Sequence, residues 1–242
     1  MRIIRAFAVS LTVCISLASA GTLVGVNFGP SASVSPANWT LATGDGAINN
    51  LIDTTGAPTS IAITLSSTPG APLQASGVPL TTTIPSDAPT LSNLQSNLYN
   101  LGPATLLAQF SGLTPNATYS VYAIGLRFST TMDQTVTITG SGTPVVLTQS
   151  GPDFSLFFNG SIGSSSQTLE SYAQPIQASG SGTIGILFTA GATRYNAAGV
   201  ALSSTPSIPA TPAPNSLVLV LVGLVGVGFF WVAGLRRLQG RQ

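Results

Sequence analysis

The sequence predicts an all-β protein: an antiparallel β-sandwich of jelly-roll type, preceded by a signal peptide and followed by one C-terminal transmembrane helix. Two observations predict the sandwich. Along the 242-residue chain, runs of about four to eight β-branched or aromatic residues recur, with glycine, proline and asparagine between them at short intervals, the spacing of strands and tight turns. In the clearest pair, Leu107, Gln109 and Ser111 alternate with Leu106, Ala108 and Phe110. A turn follows at Leu113-Thr114-Pro115-Asn116, and Tyr119, Val121 and Ala123 then alternate with Ser120, Tyr122 and Ile124. A period of two over both runs means two strands joined by a proline turn. Abundant Ser, Thr, Gly and Pro with few charges also suits a disordered chain, but such a chain lacks repeated apolar runs of strand length.

The elements follow in order. Residues 1–20 read as a signal peptide: Arg2 and Arg5 form the positive region, residues 6–17 the apolar region, and Ala18-Ser19-Ala20 the small-residue cleavage site, so the mature chain is expected to begin at Gly21. The apolar run is too short for a retained span. Residues 21–204 are the sandwich domain, long enough for one sizeable core. Besides the pair above, strands are expected at 22–28, 60–65, 134–139, 144–148, 154–158, 167–172, 183–189 and 197–203. The single helical period, Leu91, Leu94, Leu98 and Leu101 with Thr90 as N-cap, predicts one short helix or an irregular loop. Residues 205–216 form a stiff proline-rich spacer. Residues 217–235 carry no charge, and a helix of that length spans roughly 28 Å, close to the hydrocarbon thickness. The basic tail, 236–242, holds Arg236, Arg237 and Arg241, which stay cytoplasmic and leave the domain facing outward.

Composition excludes most chemistry. The chain has no histidine and no lysine, and its one cysteine, Cys14, lies in the leader. Disulfides, Ser-His-Asp and Cys-His nucleophiles, Ser-Lys dyads, Schiff bases and histidine-ligated metals cannot be built. Within residues 21–204, Asp45, Asp53, Asp87, Asp133, Asp153 and Glu170 stand against Arg127 and Arg194, a net charge of −4. With no basic patch to neutralise phosphates, nucleic acid is not an expected partner. Only carboxylate chemistry survives, and a glycosidase needs two carboxyl groups held about 5 to 9.5 Å apart. Asp53-Thr54-Thr55-Gly56 approaches the Asp-Thr-Gly loop of aspartic proteases, but Thr55 spoils the spacing and no second such loop is present. An enzyme is not expected.

Asp45, Asn49, Asn50 and Asp53 fall in one loop and are hard oxygen ligands of the kind calcium accepts. Their spacing does not fit an EF-hand, and asparagine-rich turns need no metal. No other cofactor is implied. For sugar binding, aromatic rings supply flat apolar platforms and polar side chains the hydroxyl partners. The candidates are Trp39, Tyr99, Tyr122, Arg127, Arg194, Tyr195 and Asn196, although Trp39 and Tyr122 lie on strand patterns that more often mark core. Sequons begin at Asn38, Asn116 and Asn159 and would suit glycosylation in a eukaryote.

Two resemblances complete the reading. Pro212-Ala213-Pro214, Ser216, the Leu/Val/Gly run and the closing Arg236-Arg237 resemble the PEP-CTERM sorting tail of Gram-negative bacteria, in which a Pro-Glu-Pro signature precedes a transmembrane helix and a basic cluster. The resemblance implies an exosortase-type membrane protease as partner; Ala213 stands where the family has glutamate. "GVNFG", "NLIDTTGAPTSIAITL", "FSGLTPNATYSVYAIGLR", "TVTITG" and "RYNAAGVAL" are similar to exported bacterial jelly-roll domains related in layout to malectin-like and galactose-binding-like modules. Together these imply a non-catalytic exported protein, membrane-anchored before processing, then at the cell surface or in the extracellular matrix and associated with exopolysaccharide. The alternative is a membrane-tethered carbohydrate-binding module with a groove of exposed aromatics. A third reading, a carboxylate-only glycoside-active enzyme, needs two acids facing one cleft.

Overall fold

The computed structural model describes residues 22–68, 73–75, 84–101, 105–127, 133–150, 155–191 and 195–204. The leader, the Pro212-Ala213-Pro214 motif, the 217–235 run, Arg236, Arg237 and Arg194 lie outside the described residues. Among the described residues no helix is long and apolar enough to cross a membrane.

In chain order the strands are β1 (Leu23–Phe28), β2 (Thr40–Ala42), β3 (Gly46–Ile48), β4 (Ala62–Thr68), β5 (Leu73–Ala75), β6 (Asn97–Leu101), β7 (Thr105–Ser111) and β8 (Thr118–Arg127). There follow β9 (Gln134–Thr139), β10 (Val145–Gln149), β11 (Ser155–Phe158), β12 (Ser161–Ile162), β13 (Gln174–Gln177), β14 (Ile184–Ala190) and β15 (Tyr195–Ser203). Two 3-10 helices, Pro89–Ser96 and Leu169–Tyr172, interrupt them. The strands make two sheets. Sheet A runs β12-β11-β8-β15-β1-β2, with β13 on β8 and β6 and β5 beside β15; sheet B runs β10-β9-β14-β7-β4-β3. All pairs are antiparallel except β1 with β2.

The predicted proline turn connects β7 and β8, but the two strands do not pair: β7 belongs to sheet B and β8 to sheet A. The turn is an arch between layers. Its two left-handed positions fall on Gly112 (φ 76°) and Asn116 (φ 60°), residues that accept that conformation at low cost. The Thr114 N–H donates to the Tyr119 hydroxyl at 2.9 Å and fixes the arch to β8.

Period-two alternation places the core. Val24, Val26 and Phe28 of β1, Val121 and Ala123 of β8, and Val200 and Leu202 of β15 face Ile63, Leu65, Leu106, Ala108, Phe110, Val136, Ile138, Ile184, Ile186 and Phe188 of sheet B. Each such aliphatic or aromatic side chain contributes about 1.5–3 kcal/mol by leaving water. The opposite face of sheet A is also covered: Tyr122, Ile124, Leu126, Leu156, Phe158 and Ala201 lie under Trp39, Leu91, Leu94, Leu169 and Tyr172. Sheet A therefore buries both faces, and β8 reads as almost wholly apolar. Sheet B buries one.

Two expectations are corrected. The strand expected at 167–172 is a loop ending in the second 3-10 helix; Leu169 and Tyr172 are both buried, and residues three apart share a face in a 3-10 turn but not in a strand. The helical period at 91–101 splits, Leu91 and Leu94 on the first 3-10 helix and Leu98 and Leu101 on β6.

β8 is paired by β11 along residues 124–127 and by β13 along 118–121, leaving a seam between them. Asn159 closes it. Its N–H donates to the Ala123 carbonyl at 3.0 Å, its Oδ1 accepts from the Ala123 N–H at 2.8 Å, and its Nδ2 donates to the Val121 and Tyr172 carbonyls at 2.7 and 2.6 Å. All three sequon asparagines, Asn38, Asn116 and Asn159, have positive φ, as does Asn50. Turn geometry accounts for their presence.

Candidate functional site

Two of the predicted aromatic platforms, Trp39 and Tyr122, are buried. Trp39 is 7% exposed and lies over Gly25 of β1 and Gly199 of β15, where a Cβ on Gly25 would collide with its ring. Tyr122 is buried on the outer face of sheet A, and its hydroxyl donates to Glu170 Oε2 at 2.7 Å. Burial first, then the Glu170 carboxylate, pushes the Tyr122 phenol well above its ordinary value. Among the described residues the exposed large apolar side chains are Val34, Leu107, Val146 and Ile162, none of them aromatic. Tyr99, Tyr195 and Arg127 fall at strand positions whose side chains lie outside the description, while Asn196 is fully buried.

The calcium candidates are used internally. Asp53 Oδ1 accepts from the Thr55 N–H and hydroxyl at 2.9 and 2.5 Å and from the Ala57 N–H at 3.1 Å, and Oδ2 accepts from the Thr22 hydroxyl at 3.1 Å. The Thr55 hydroxyl leads the causes that hold the Asp53 carboxyl below its ordinary value, against the opposing effect of burial. Asp45 Oδ2 accepts from the Ser67 N–H and hydroxyl, and Asn49 is exposed. Among the described residues no three His, Cys, Asp or Glu side chains gather as a metal site.

Sequence reasoning passed over a buried amide clamp at one end of the sandwich. Gln134 of β9 accepts from the Asn196 N–H at 2.8 Å and donates to the Asn196 carbonyl at 3.0 Å, tying sheet B to sheet A; it also donates to Gln149 Oε1. The bare Cα of Gly125 makes room for both glutamines. The signal was legible: Gln134 occupies the inward position of the alternation that continues with Val136 and Ile138.

The open surface is the outer face of sheet B. Its registers align residues in rows across the strands. One row is Thr148, Thr135, Thr189, Thr105 and Thr68, five threonines on five adjacent strands. The next is Val146, Thr137, Leu187, Leu107 and Ser66. The third is Thr139, Gly185, Gln109, Thr64 and Ala47. Rows lie about 7 Å apart and strands about 4.8 Å, so six strands give a face about 24 Å wide. No residue in the three rows is charged or aromatic. Val146 is 63% and Leu107 36% exposed, so the middle row sets accessible apolar side chains among the hydroxyls of Thr137 and Ser66. Neighbouring hydroxyls touch within the threonine row, Thr68 and Thr105 at 2.8 Å.

On the other sheet, Asp87 and Glu170 are both exposed beside the second 3-10 helix. Glu170 accepts from Tyr122 and Ser120, and Asp87 Oδ1 accepts from the Leu169 N–H at 2.8 Å. Glu170 thus holds the Tyr122 hydroxyl directly, and the Asp87 carboxylate adds to the upward shift of the phenol through space.

These observations define an all-β protein of two packed sheets. No protein-family model and no curated protein matches the chain. Among solved structures it is similar to a Bacteroides uniformis β-glucuronidase, at 14% identity and a TM-score of 0.47, over 76% of this chain and 18% of that one. It is also similar to an exo-β-1,3-galactanase from Phanerochaete chrysosporium, at 14% identity and a TM-score of 0.28, over 67% of this chain and 34% of that one. The chain thus spans about a fifth to a third of those enzymes, and the likeness concerns the fold alone. The expectation of a non-catalytic surface or matrix protein is corrected to this extent: the proteins named in these comparisons are glycoside hydrolases, and nothing in them shows a non-catalytic role.

Proposed function

We propose that this chain carries a jelly-roll domain that recognises carbohydrate through the open face of sheet B. The supporting observation is the uncharged face itself, on which Val146, Leu187 and Leu107 stand among threonine and serine hydroxyls and the Gln109 amide. Sugars present C–H surfaces and hydroxyls together, and an uncharged array of methyl, hydroxyl and amide groups answers both without the desolvation cost of burying charge. The domain is exported by its leader. Its C-terminal segment anchors it in the membrane with the domain outward and is then the substrate of an exosortase-type protease acting near Pro212-Ala213-Pro214.

Binding is tested by retention of the purified protein on insoluble neutral polysaccharides, with an acidic polymer as control. Retention on the neutral polymers that is lost in Thr137→Lys/Gln109→Lys supports the reading; equal retention of protein and variant removes the face from it. Delivery is tested by the mass of the mature protein from strains with and without exosortase. Loss of everything after about Pro214 only in the first strain supports sorting, and an intact tail in both refutes it.

A second reading, a glycoside-active enzyme, is favoured by the exposed Asp87 and Glu170 beside Tyr122. It requires hydrolysis of a glycoside substrate that Glu170→Gln abolishes; no turnover by the unaltered protein on a panel of glycosides refutes it.

A further inference from the structure

We infer that β15 is the closing strand of the domain: the chain stays open until residues 195–204 arrive, and the sandwich then assembles around them in one step. The inference is independent of carbohydrate recognition; its use to the cell, though not its physical basis, rests on the export reading. Topology carries it. β15 pairs with β8 along one edge, and with β1 and β6, placed end to end, along the other. Among the described residues, β15 alone joins the β12-β11-β8-β13 group, the β1-β2 pair and the β5-β6 pair into one sheet. Without it sheet A is three pieces.

Those pieces come from distant parts of the chain, Leu23 facing Ser203 and Val121 facing Leu202, so no local contact holds them in place before β15 is seated. The same strand ties the ends and the layers. The Ser204 N–H donates to the Thr22 carbonyl at 2.5 Å, and the Asn196 backbone is held by Gln134 of sheet B. Both faces of β15 are buried: Ala197, Val200 and Leu202 lie between the sheets, Ala198 and Ala201 under the outer layer. Sheet B has all its strands by Ala190, but its inner face is apolar from Ile63 to Phe188 and needs sheet A to cover it. The slot for β15 is narrow. A Cβ on Gly199 would stand 2.6 Å from the Val26 carbonyl oxygen and 3.5 Å from Trp39 Cζ3. A chain that emerges N-terminus first delivers β15 after every other strand, so the domain closes only when all of residues 22–204 is across the membrane.

The test is hydrogen exchange of the full chain in detergent, read peptide by peptide by mass spectrometry. In pulse labelling during refolding, amides of β7, β8 and β14 are expected to gain protection together with those of β15. In native-state exchange, β1, β8 and β15 are expected to open in one event, with the same dependence on denaturant. Gly199→Ala is expected to slow the gain of protection in every strand by at least about tenfold, because it obstructs the step that closes the sandwich. Gly142→Ala, whose Cβ meets nothing within 4 Å, is expected to leave it unchanged. Protection of sheet B or β8 before β15, or a native-state opening in which β15 exchanges while β1 and β8 stay protected, overturns the inference. So does a Gly199→Ala protein that folds at the parent rate and only unfolds faster. Retention of the leader in the mature protein would refute the export reading and leave all of these results as they stand.

Discussion

Replacing Asn159 by alanine tests how the sandwich is sealed. The Asn159 side chain is 6% exposed and makes three hydrogen bonds to backbone groups of Ala123, Val121 and Tyr172. Each is worth about 1 kcal/mol net, and the Ala123 N–H, left buried without its acceptor, sits toward the upper end of about 1–3 kcal/mol. Alanine must also hold φ at 49°, a left-handed conformation that costs about 1–2 kcal/mol without glycine or asparagine. The sum is about 5–7 kcal/mol, which for a domain of this size lowers the melting temperature by about 2–4 °C per kcal/mol, or roughly 10–28 °C. Thermal denaturation followed by circular dichroism measures it. Asn159→Gly relieves the backbone term alone and is expected to recover about 1–2 kcal/mol of the loss. A loss below about 1 kcal/mol for the alanine variant refutes the reasoning, because the seam would then be closed by something other than this side chain.

Three further predictions follow from the same geometry. Gly25→Ala drives a Cβ into the Trp39 ring and is expected to cost about 1–3 kcal/mol by overpacking, with a red shift of tryptophan emission as the ring is pushed outward. Tyr122→Phe removes the donor to Glu170 and is expected to lower stability by about 1–2 kcal/mol; unchanged denaturant midpoints would show the bond to be silent. Asp53 has a carboxyl held below the ordinary carboxyl range by its hydrogen bonds, that from the Thr55 hydroxyl first, so its contribution to stability is present above the ordinary value and is lost as pH falls through the lower, folded one. Acid denaturation of Asp53→Asn is expected to show a shallower dependence below about pH 4, and an identical acid limb would mean that Asp53 does not titrate with folding.

Much of the fold was legible because both sheets obey period two. The run at 134–139 matches β9 residue for residue, and those at 22–28, 144–148 and 183–189 match β1, β10 and β14 to within a residue or two. β2, β3, β5 and β12, at two or three residues each, are too short to carry a period. Site reasoning fared worse for a physical reason. A tryptophan or tyrosine among apolar residues reads the same whether it meets solvent or a covering layer, and here Trp39 joins the 3-10 helices in covering the face of sheet A that carries Tyr122. The threonine row is invisible in one dimension: Thr68, Thr105, Thr135, Thr148 and Thr189 come together only through four registers.

The two sheets differ in how many of their faces are spent on packing. Sheet A spends both faces on packing, the inner against sheet B and the outer under Trp39 and the two 3-10 helices, so a ligand there would have to displace apolar side chains that contribute about 1.5–3 kcal/mol each. Sheet B has nothing over its outer face among the described residues, and its polar side chains there are neutral. A soluble sheet face is commonly protected from association by charge. Eight outward threonines, with no lysine, arginine, aspartate or glutamate among them, leave that face wettable yet free of the charge that would repel a neutral polymer. An outward charge at Thr137 or Leu107 would protect the face as well or better, so stability alone does not call for a face without charge.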